Sequence, residues 1–255
     1  MNISPIAFQI GPLTIRWYGI LMAVALSAGT VLAVRAARRE NVDEDHLLNL
    51  ILIAAPLSWM GARLYYVAFN WRDYAADPLE ILKIWHGGLA IHGALITAVI
   101  TGYLYARKYD LNFWQLADIT APSFILGQAI GRWGNFFNQE AYGYPTNLPW
   151  AMNIAGVYRH PTFLYESLWD LLVFGLLLVF RKKVPGPKGQ LFLVYLSLYS
   201  VGRFFVEGLR TDSLMLGPFR TAQVVSLATV FAACALLGWR RSLWRRVHQG
   251  HTQRQ

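Results

Sequence analysis

The chain has 255 residues, of which 55% are hydrophobic and only 15% charged, with ten tryptophans and a positive mean hydropathy. Soluble domains carry about 25% charged residues, so the composition excludes an ordinary water-soluble globule. The net charge of +9 is explained by basic residues flanking apolar runs, without any need for nucleic acid as a partner.

The N-terminal stretch MNISPIAFQIGPLTIRWYG lacks the positive region and small-residue cleavage pattern of a secretory signal, so the first apolar run is expected to be retained. Runs long enough to cross about 30 Å of hydrocarbon, roughly 20 residues each, are predicted at residues 18–37, 46–69, 88–106, 112–137, 162–180, 191–207 and 221–239. Pro56, Pro122 and the GxxxG pair Gly127 and Gly131 lie inside them, which suits membrane helices because small residues let neighbours approach. The expected fold is an all-α integral membrane protein, a seven-transmembrane helix bundle forming a single polytopic domain over residues 1–255.

Orientation follows from Lys and Arg placement, because positive loops stay in the cytoplasm. Fourteen of the 23 fall in one set of alternate loops and the tail, six in the opposite set, and Arg63, Arg132 and Arg203 inside runs. The N-terminus is therefore predicted outside and the basic tail, residues 240–255, in the cytoplasm. Loops at about 70–87 and 138–161 then form a small extracytoplasmic cap. In DPLEILKIW, Leu79, Leu82 and Trp85 have the spacing of a short interfacial helix. Cys234 is the only cysteine, so an intrachain disulfide and a CxxC redox pair are excluded.

An ionisable side chain in a span costs about 2.5 to 3.5 kcal/mol on insertion scales and marks a functional candidate. Arg132 lies roughly 30 Å along the fourth run from its inner end, and Arg203 about 18 Å along the sixth. Tyr18, His92 and Glu166 fall within about two turns of the outer ends of their runs. Five runs thus send polar groups toward one outer region, with Arg63 a possible sixth. Asp170 is nearer the midplane, and Asp118 lies close to the inner boundary.

In YSVGRFFVEGLR, Tyr199, Arg203, Glu207 and Arg210 follow i, i+4, i+8 and i+11, an arc of about 80° on one helix face. Either Arg203 and Glu207 form a pair that ties helices together, or Arg203 joins Arg132 in holding an anion. Two arginines call for more negative charge than one glutamate supplies, and a phosphate fits guanidinium forks. In GRWGNFFNQEAYG, Gly131 to Gly143, Arg132 and Asn135 share a face, while Gly131 and Gly134 admit a close neighbour. Asn138, Gln139 and Glu140 serve either to end the helix or to act on a ligand, and Gly143 is needed for a positive φ or a close approach.

His92, in HGGLAIHGALI, is either a packing residue or a proton acceptor, since imidazole titrates near neutral pH. His86, six residues earlier, is placed in a loop with no role. A metal site is not expected: the chain has no HExxH, no His pair at i, i+4 and no cysteine ligand set.

RWYG at 16–19, HGGLAIHG at 86–93, GRWGNFFNQEAYG at 131–143, HPTFLYES at 160–167 and GRFFVEGLR at 202–210 resemble, in order, the signature blocks of bacterial prolipoprotein diacylglyceryl transferases. The resemblance covers about residues 10–220. It implies a multi-pass enzyme of the bacterial inner membrane that moves the diacylglyceryl group of phosphatidylglycerol onto the lipobox cysteine of a preprolipoprotein. Glycerol phosphate is released, no cofactor is used, and the active site faces the outer leaflet. The partners implied are phosphatidylglycerol, the preprolipoprotein signal peptide with its lipobox, and membrane lipids. Carried over by position, the family's tyrosine falls on Tyr18, its histidine on His92, its phosphate-binding arginines on Arg132 and Arg203, and its asparagine on Asn135. Its glutamates fall on Glu140 and Glu207, its glycine on Gly143 and a further tyrosine on Tyr199. Phe163 stands where some members have Gln. The acceptor thiol belongs to the substrate, so Cys234 is expected to be dispensable.

Three other classes compete. A transporter usually places its charges at the midplane between paired halves, and an intramembrane serine protease needs a nucleophile with a base, which no span serine here has in sequence. An anionic-phospholipid-binding or transporting protein without transferase activity satisfies the same polar residues.

Overall fold

Each of the seven apolar runs folds into one long helix. The computed structural model describes residues 4–75, 77–83, 87–154 and 156–252. A hairpin of β1 (Ile6–Ile10) and β2 (Leu13–Arg16) leads directly into α1 (Trp17–Arg39). Then come α2 (Glu44–Phe69), the single turn α3 (Trp71–Tyr74), a 3-10 turn at Pro78–Leu82, α4 (Ile91–Lys108) and α5 (Phe113–Asn138). The hairpin of β3 (Met152–Ile154) and β4 (Val157–Arg159) precedes α6 (Thr162–Lys183) and α7 (Gln190–Leu209). Last come β5 (Met215–Leu216), β6 (Phe219–Arg220) and α8 (Thr221–Thr252).

Among the described residues, α1, α2, α6, α7 and the 221–247 part of α8 are long and apolar enough to cross a membrane, which makes five. The polar interruptions of α5, Gln115, Asp118, Gln128 and Asn135, and the His92 and Arg107–Lys108 ends of α4 keep those two helices less apolar. Side chains such as Leu52, Phe205 and Phe231 are about 70% exposed, the inverse of a soluble protein and the pattern expected where lipid covers the surface.

Among the described residues, three short antiparallel hairpins accompany the helices. Each turns on a glycine with positive φ: Gly11 at 57°, Gly156 at 83° and Gly217 at 59°. Gly-Pro at 11–12 and at 217–218 is the signal that marks two of these turns. Within the helix expected at 77–85, the described residues form the 3-10 turn Pro78–Leu82, capped by Asp77 accepting from the Leu79 amide at 3.1 Å. Trp85 and His86 lie outside the described residues.

Packing divides the chain into two units, Met1–Ala33 with Ala117–Gln255, and Val34–Leu116. In the smaller unit α2 opens with Glu44 and Asp45 behind the N-cap Asp43, acids that favour the positive end of the helix dipole. It packs on α4 through glycines: a Cβ on Gly93 would come 2.3 Å from the Gly61 carbonyl oxygen. The Ala90 amide donates to the Ala62 carbonyl at 3.0 Å, so the start of α4, with His92, is fixed against α2.

Arg63 does not join an anion site. It is 4% exposed and donates to four backbone carbonyls: Ile81 at 3.0 Å, Gly87 at 2.5 Å, Gly88 at 3.1 Å and Glu80 at 2.6 Å. The guanidinium also lies 5.1 Å from the centroid of the Tyr74 ring. It therefore ties down the loop before α4. Gly88 has φ +74°, and a Cβ there would meet Arg63 Nη1 at 2.5 Å and Tyr66 at 2.8 Å.

In the larger unit the buried core is Ala121 and Ile125 of α5, Val173 and Leu177 of α6, and Leu191 and Tyr195 of α7. Asp118 caps α7 from α5, accepting from the Gly189 amide at 2.6 Å and the Phe192 amide at 2.8 Å. That explains a carboxylate near the end of an apolar helix.

Arg63→Lys is expected to lower the thermal transition of the detergent-purified protein, because one ammonium cannot replace a fork that reaches four carbonyls. The loss is about 1 kcal/mol or more, because the carbonyls left bare are only partly withdrawn from water. An unchanged transition would show that the loop is held by something else.

Candidate active site

The site is assembled in the larger unit where α5 and α7 end and α6 begins. Gln139 and Ala141, at φ 53° and 57°, turn the chain sharply out of α5. Thr162, fully buried, donates its hydroxyl to the Ala141 carbonyl. Residues 142–145 then thread between two other segments. The Gly143 amide donates to the His160 carbonyl at 3.0 Å, and the Tyr144 amide to the Leu209 carbonyl at 3.0 Å. Gly143 also bridges to Arg210.

A Cβ on Gly143 would lie 2.7 Å from His160 Cβ, 2.9 Å from the Leu209 carbonyl oxygen and 3.1 Å from Thr162 Cγ2. Of the two reasons expected for this glycine, close approach is the one that applies; its φ is not among the positive ones. The helices behind are locked by similar means. Ser167 donates to the Ala129 carbonyl at 2.9 Å, and Trp169 donates to the Leu198 carbonyl at 2.9 Å while its indole fills the space over Gly202.

This frame sets Glu166, 6% exposed, between two arginines. Its Oε2 pairs with Arg132 Nη2, and its Oε1 lies 2.5 Å from Arg203 Nη1. Arg203 Nη2 is 2.6 Å from Glu207 Oε2, and Arg132 Nη2 donates to the Tyr199 hydroxyl at 3.4 Å. Arg210 Nη1 is 3.9 Å from Glu166 Oε1, and its fork holds Asp212 at 2.9 and 2.8 Å. Hydrogen bonding to Arg210 keeps the Asp212 carboxyl below its ordinary range. Asp170, one turn along α6 from Glu166 and 1% exposed, interacts electrostatically with Arg132, Glu166 and Arg203.

Arg132, Tyr199, Arg203 and Glu207 are thus brought together as the sequence implied, but the charge argument needs correcting. The arginines do not face a single glutamate: four carboxylates, Glu166, Glu207, Asp170 and Asp212, stand against Arg132, Arg203 and Arg210. Sequence reasoning missed Glu166 as the bridge. The signal available was a carboxylate pair, Glu166 and Asp170, at i, i+4 within an apolar run. What remains open to a ligand is Arg132 itself, whose Nε and Nη1 have no partner among the described residues.

The Asn135 amide donates to Glu140 Oε1 at 2.9 Å, as does that of Asn138 at 3.2 Å, so Glu140 is held by the end of its own helix. Tyr18 rests on Gly134, where a Cβ would meet its ring at 2.4 Å. Nearby, Trp17 stacks on Phe137 with centroids 4.9 Å apart. Phe163, buried, packs on Trp133 and Phe136 with centroids 5.6 and 5.0 Å apart, which gives this position an apolar packing role. His92 belongs to the smaller unit, where its ring is exposed and 6.1 Å from that of Tyr65. Cys234 is free and exposed, with its sulfur 3.8 Å from the Ser197 hydroxyl. No group of three or more metal-ligating side chains occurs among the described residues.

Apolar helices define a multi-pass membrane protein, and a buried arginine–carboxylate cluster is its polar centre in the larger unit. The sequence over residues 5–239 matches the family of prolipoprotein diacylglyceryl transferases, and the chain belongs to that family. It is 51% identical over 251 residues to the phosphatidylglycerol–prolipoprotein diacylglyceryl transferase of Trichormus variabilis, covering 92% of this chain and 89% of that one. The enzymes of the same name from Bacillus cereus and Bacillus mycoides are each 51% identical over 254 residues, covering 95% of this chain and 94% of theirs.

Gly143→Ala is expected to reduce site activity by about 10- to 100-fold, the usual cost of misplacing a site by an ångström or so. The Leu209 carbonyl cannot yield without moving Arg210. Gly134→Val should act similarly through Tyr18. Wild-type turnover by both variants, in assays normalised to folded protein, would break the link between these glycines and the site.

Proposed function

We infer that the chain transfers the diacylglyceryl group of phosphatidylglycerol to the cysteine thiol of a prolipoprotein, the first step of lipoprotein maturation. Family membership supports the reaction. The single structural observation that carries it is Arg132, joined to Arg203 through Glu166 and still offering Nε and Nη1.

In this reading the lipid phosphate is taken at those free donors, with Arg203 and Tyr199 completing the polar surface. The acceptor sulfur attacks the glyceryl carbon that bears the phosphate oxygen. A carbon–sulfur bond forms, the carbon–oxygen bond breaks, and its electron pair leaves with glycerol phosphate. Positive charge fixed beside the departing oxygen lowers the barrier, by about 3 to 4 kcal/mol for one well-placed donor in other enzymes. The thiol, with a free pKa of about 8.5, must lose its proton to react. His92 is assigned that proton on side-chain chemistry and the family pattern. Glu207 orients Arg203, while Asn135 and Glu140 fix the end of α5 beside Gly143. Tyr18, set on Gly134, belongs to the same surface.

All seven long helices are proposed to cross the membrane, α4 and α5 included, with the N-terminus outside and the basic end of α8 in the cytoplasm. The membrane is the bacterial inner membrane. The site then opens to the outer leaflet, and residues 138–161 cover it as part of one polytopic domain. The Lys and Arg asymmetry supports this orientation.

The test is mass spectrometry of a lipobox peptide incubated with the protein and phosphatidylglycerol. A diacylglyceryl mass gain is expected that needs the peptide cysteine, falls at least 100-fold in Arg203→Ala and persists in Cys234→Ala. Lipid binding without any mass gain would instead mark a phospholipid-binding or transporting protein. His92→Gln should slow transfer at neutral pH and regain part of the loss as pH rises toward the thiol's free pKa of about 8.5, where thiolate forms without a base, whereas Arg203→Ala should show no such recovery. Near-normal turnover by His92→Gln would remove its role as base.

A further inference from the structure

Within the larger unit, α6 and α7 leave a groove of about 290 Å³ at the end far from Glu166. Lys183 is 17 residues after Glu166 on the same helix, about 26 Å at 1.5 Å per residue. Leu176, Val179 and Phe180 of α6 and Val194 and Leu198 of α7 form its apolar walls, and Lys183 stands at its rim. The groove therefore has the two parts of a glycerophospholipid site, a slot for an acyl chain and a cation where the chain would meet the headgroup.

The surroundings deepen the positive end. Arg181, Lys182 and Lys183 close α6, and Lys182 and Lys183 are exposed with no ion-pair partner among the described residues. The α8 side adds Arg241, whose guanidinium lies 5.8 Å from the Phe180 ring centroid and whose Nε donates to Gln190 at 2.7 Å. Arg240 donates to the Lys188 carbonyl at 2.7 Å. No acidic residue occurs in the sequence between Lys182 and Val194, and the carboxylate that reaches this segment from α5, Asp118, accepts from the Gly189 and Phe192 amides.

We propose that this groove binds one anionic glycerophospholipid of the leaflet opposite the arginine–carboxylate site, with an acyl chain between α6 and α7 and the phosphodiester on Lys182 and Lys183. Basic pockets between membrane helices recognise anionic headgroups in this way, at about 1 kcal/mol, or roughly fivefold, per lysine near the surface.

Photolabelling tests it. The protein is reconstituted in phosphatidylcholine nanodiscs carrying a trace of lipid with a diazirine in one acyl chain, and labelled peptides are mapped. Phosphatidylglycerol probe is expected to label residues 176–198 at least about fivefold more than phosphatidylcholine probe of the same chain. Lys182→Gln with Lys183→Gln should remove that preference, and Val179→Trp, which fills the groove from α6, should block the labelling itself, while both variants keep transferring diacylglyceryl to a lipobox peptide. Equal labelling of wild-type protein by the two probes would overturn the proposal and reduce the groove to ordinary lipid contact. A preference that survives loss of both lysines would overturn it as well. Loss of transferase activity in Arg203→Ala leaves this readout unchanged, so the two sites fail separately.

Discussion

Everything at the site depends on one carboxylate shared by two arginines. Arg132 and Arg203 are each about four-fifths buried, and Glu166 between them is almost wholly so. Charges removed from water cost several kcal/mol each unless paired with good geometry, and removing one partner leaves the others uncompensated. Glu166 can bridge only if the end of α5, the start of α6 and the end of α7 meet. That meeting rests on contacts with little tolerance: the chain at Gly143 between His160 and Leu209, Thr162 on the Ala141 carbonyl, and Trp169 over Gly202. Arg220 fastens the same corner, donating to the Arg210 carbonyl, Ser213 and Tyr144.

The bridge has a functional consequence. Had the arginines faced each other without carboxylates, any anion would bind there, and so tightly that release would be slow. In the proposed reading, with these carboxylates in place, a phosphate gains mainly from donors not already engaged, those of Arg132, and from any rearrangement in which Arg203 shares itself between Glu166, Glu207 and the ligand. Interactions that strengthen as charge grows on the leaving oxygen then act on the transition state more than on bound lipid. Such preorganised donors are the usual source of large rate effects in acyl and phosphoryl chemistry, and the same physics applies to a departing glycerol phosphate.

Much of this architecture is legible in the amino-acid sequence. The long helices are written in apolar runs, and the polar face Tyr199–Arg203–Glu207 in a spacing that only a helix brings together. Other features are not legible there, for physical reasons that differ. Glu166 is visible as a polar residue near a helix end, but its role depends on Arg132 and Arg203, which are 34 and 37 residues away and whose side-chain directions a one-dimensional pattern does not carry. Arg63 has the same signature as Arg132, an arginine in an apolar run. Only three-dimensional contacts reveal that backbone carbonyls consume it. Asn135 shares a helix face with Arg132, yet the left-handed turn at Gln139 and Ala141 brings Glu140 back to claim its amide. The hairpins leave little trace because strands of two to five residues have too few positions for alternation to register.

The most direct test of the shared carboxylate is a double-mutant cycle on transfer kinetics with Arg132→Ala, Arg203→Ala and the double variant, at equal amounts of folded protein in bilayers. If Glu166 holds both arginines as one unit, either substitution releases the carboxylate and disorders the other guanidinium. The double variant should then lose little more kcat/KM than the worse single variant, a coupling well above 1 kcal/mol and beyond the about 0.5 kcal/mol of independent sites. Losses that simply multiply would mean that each arginine acts alone and that the bridge through Glu166 has no part in catalysis.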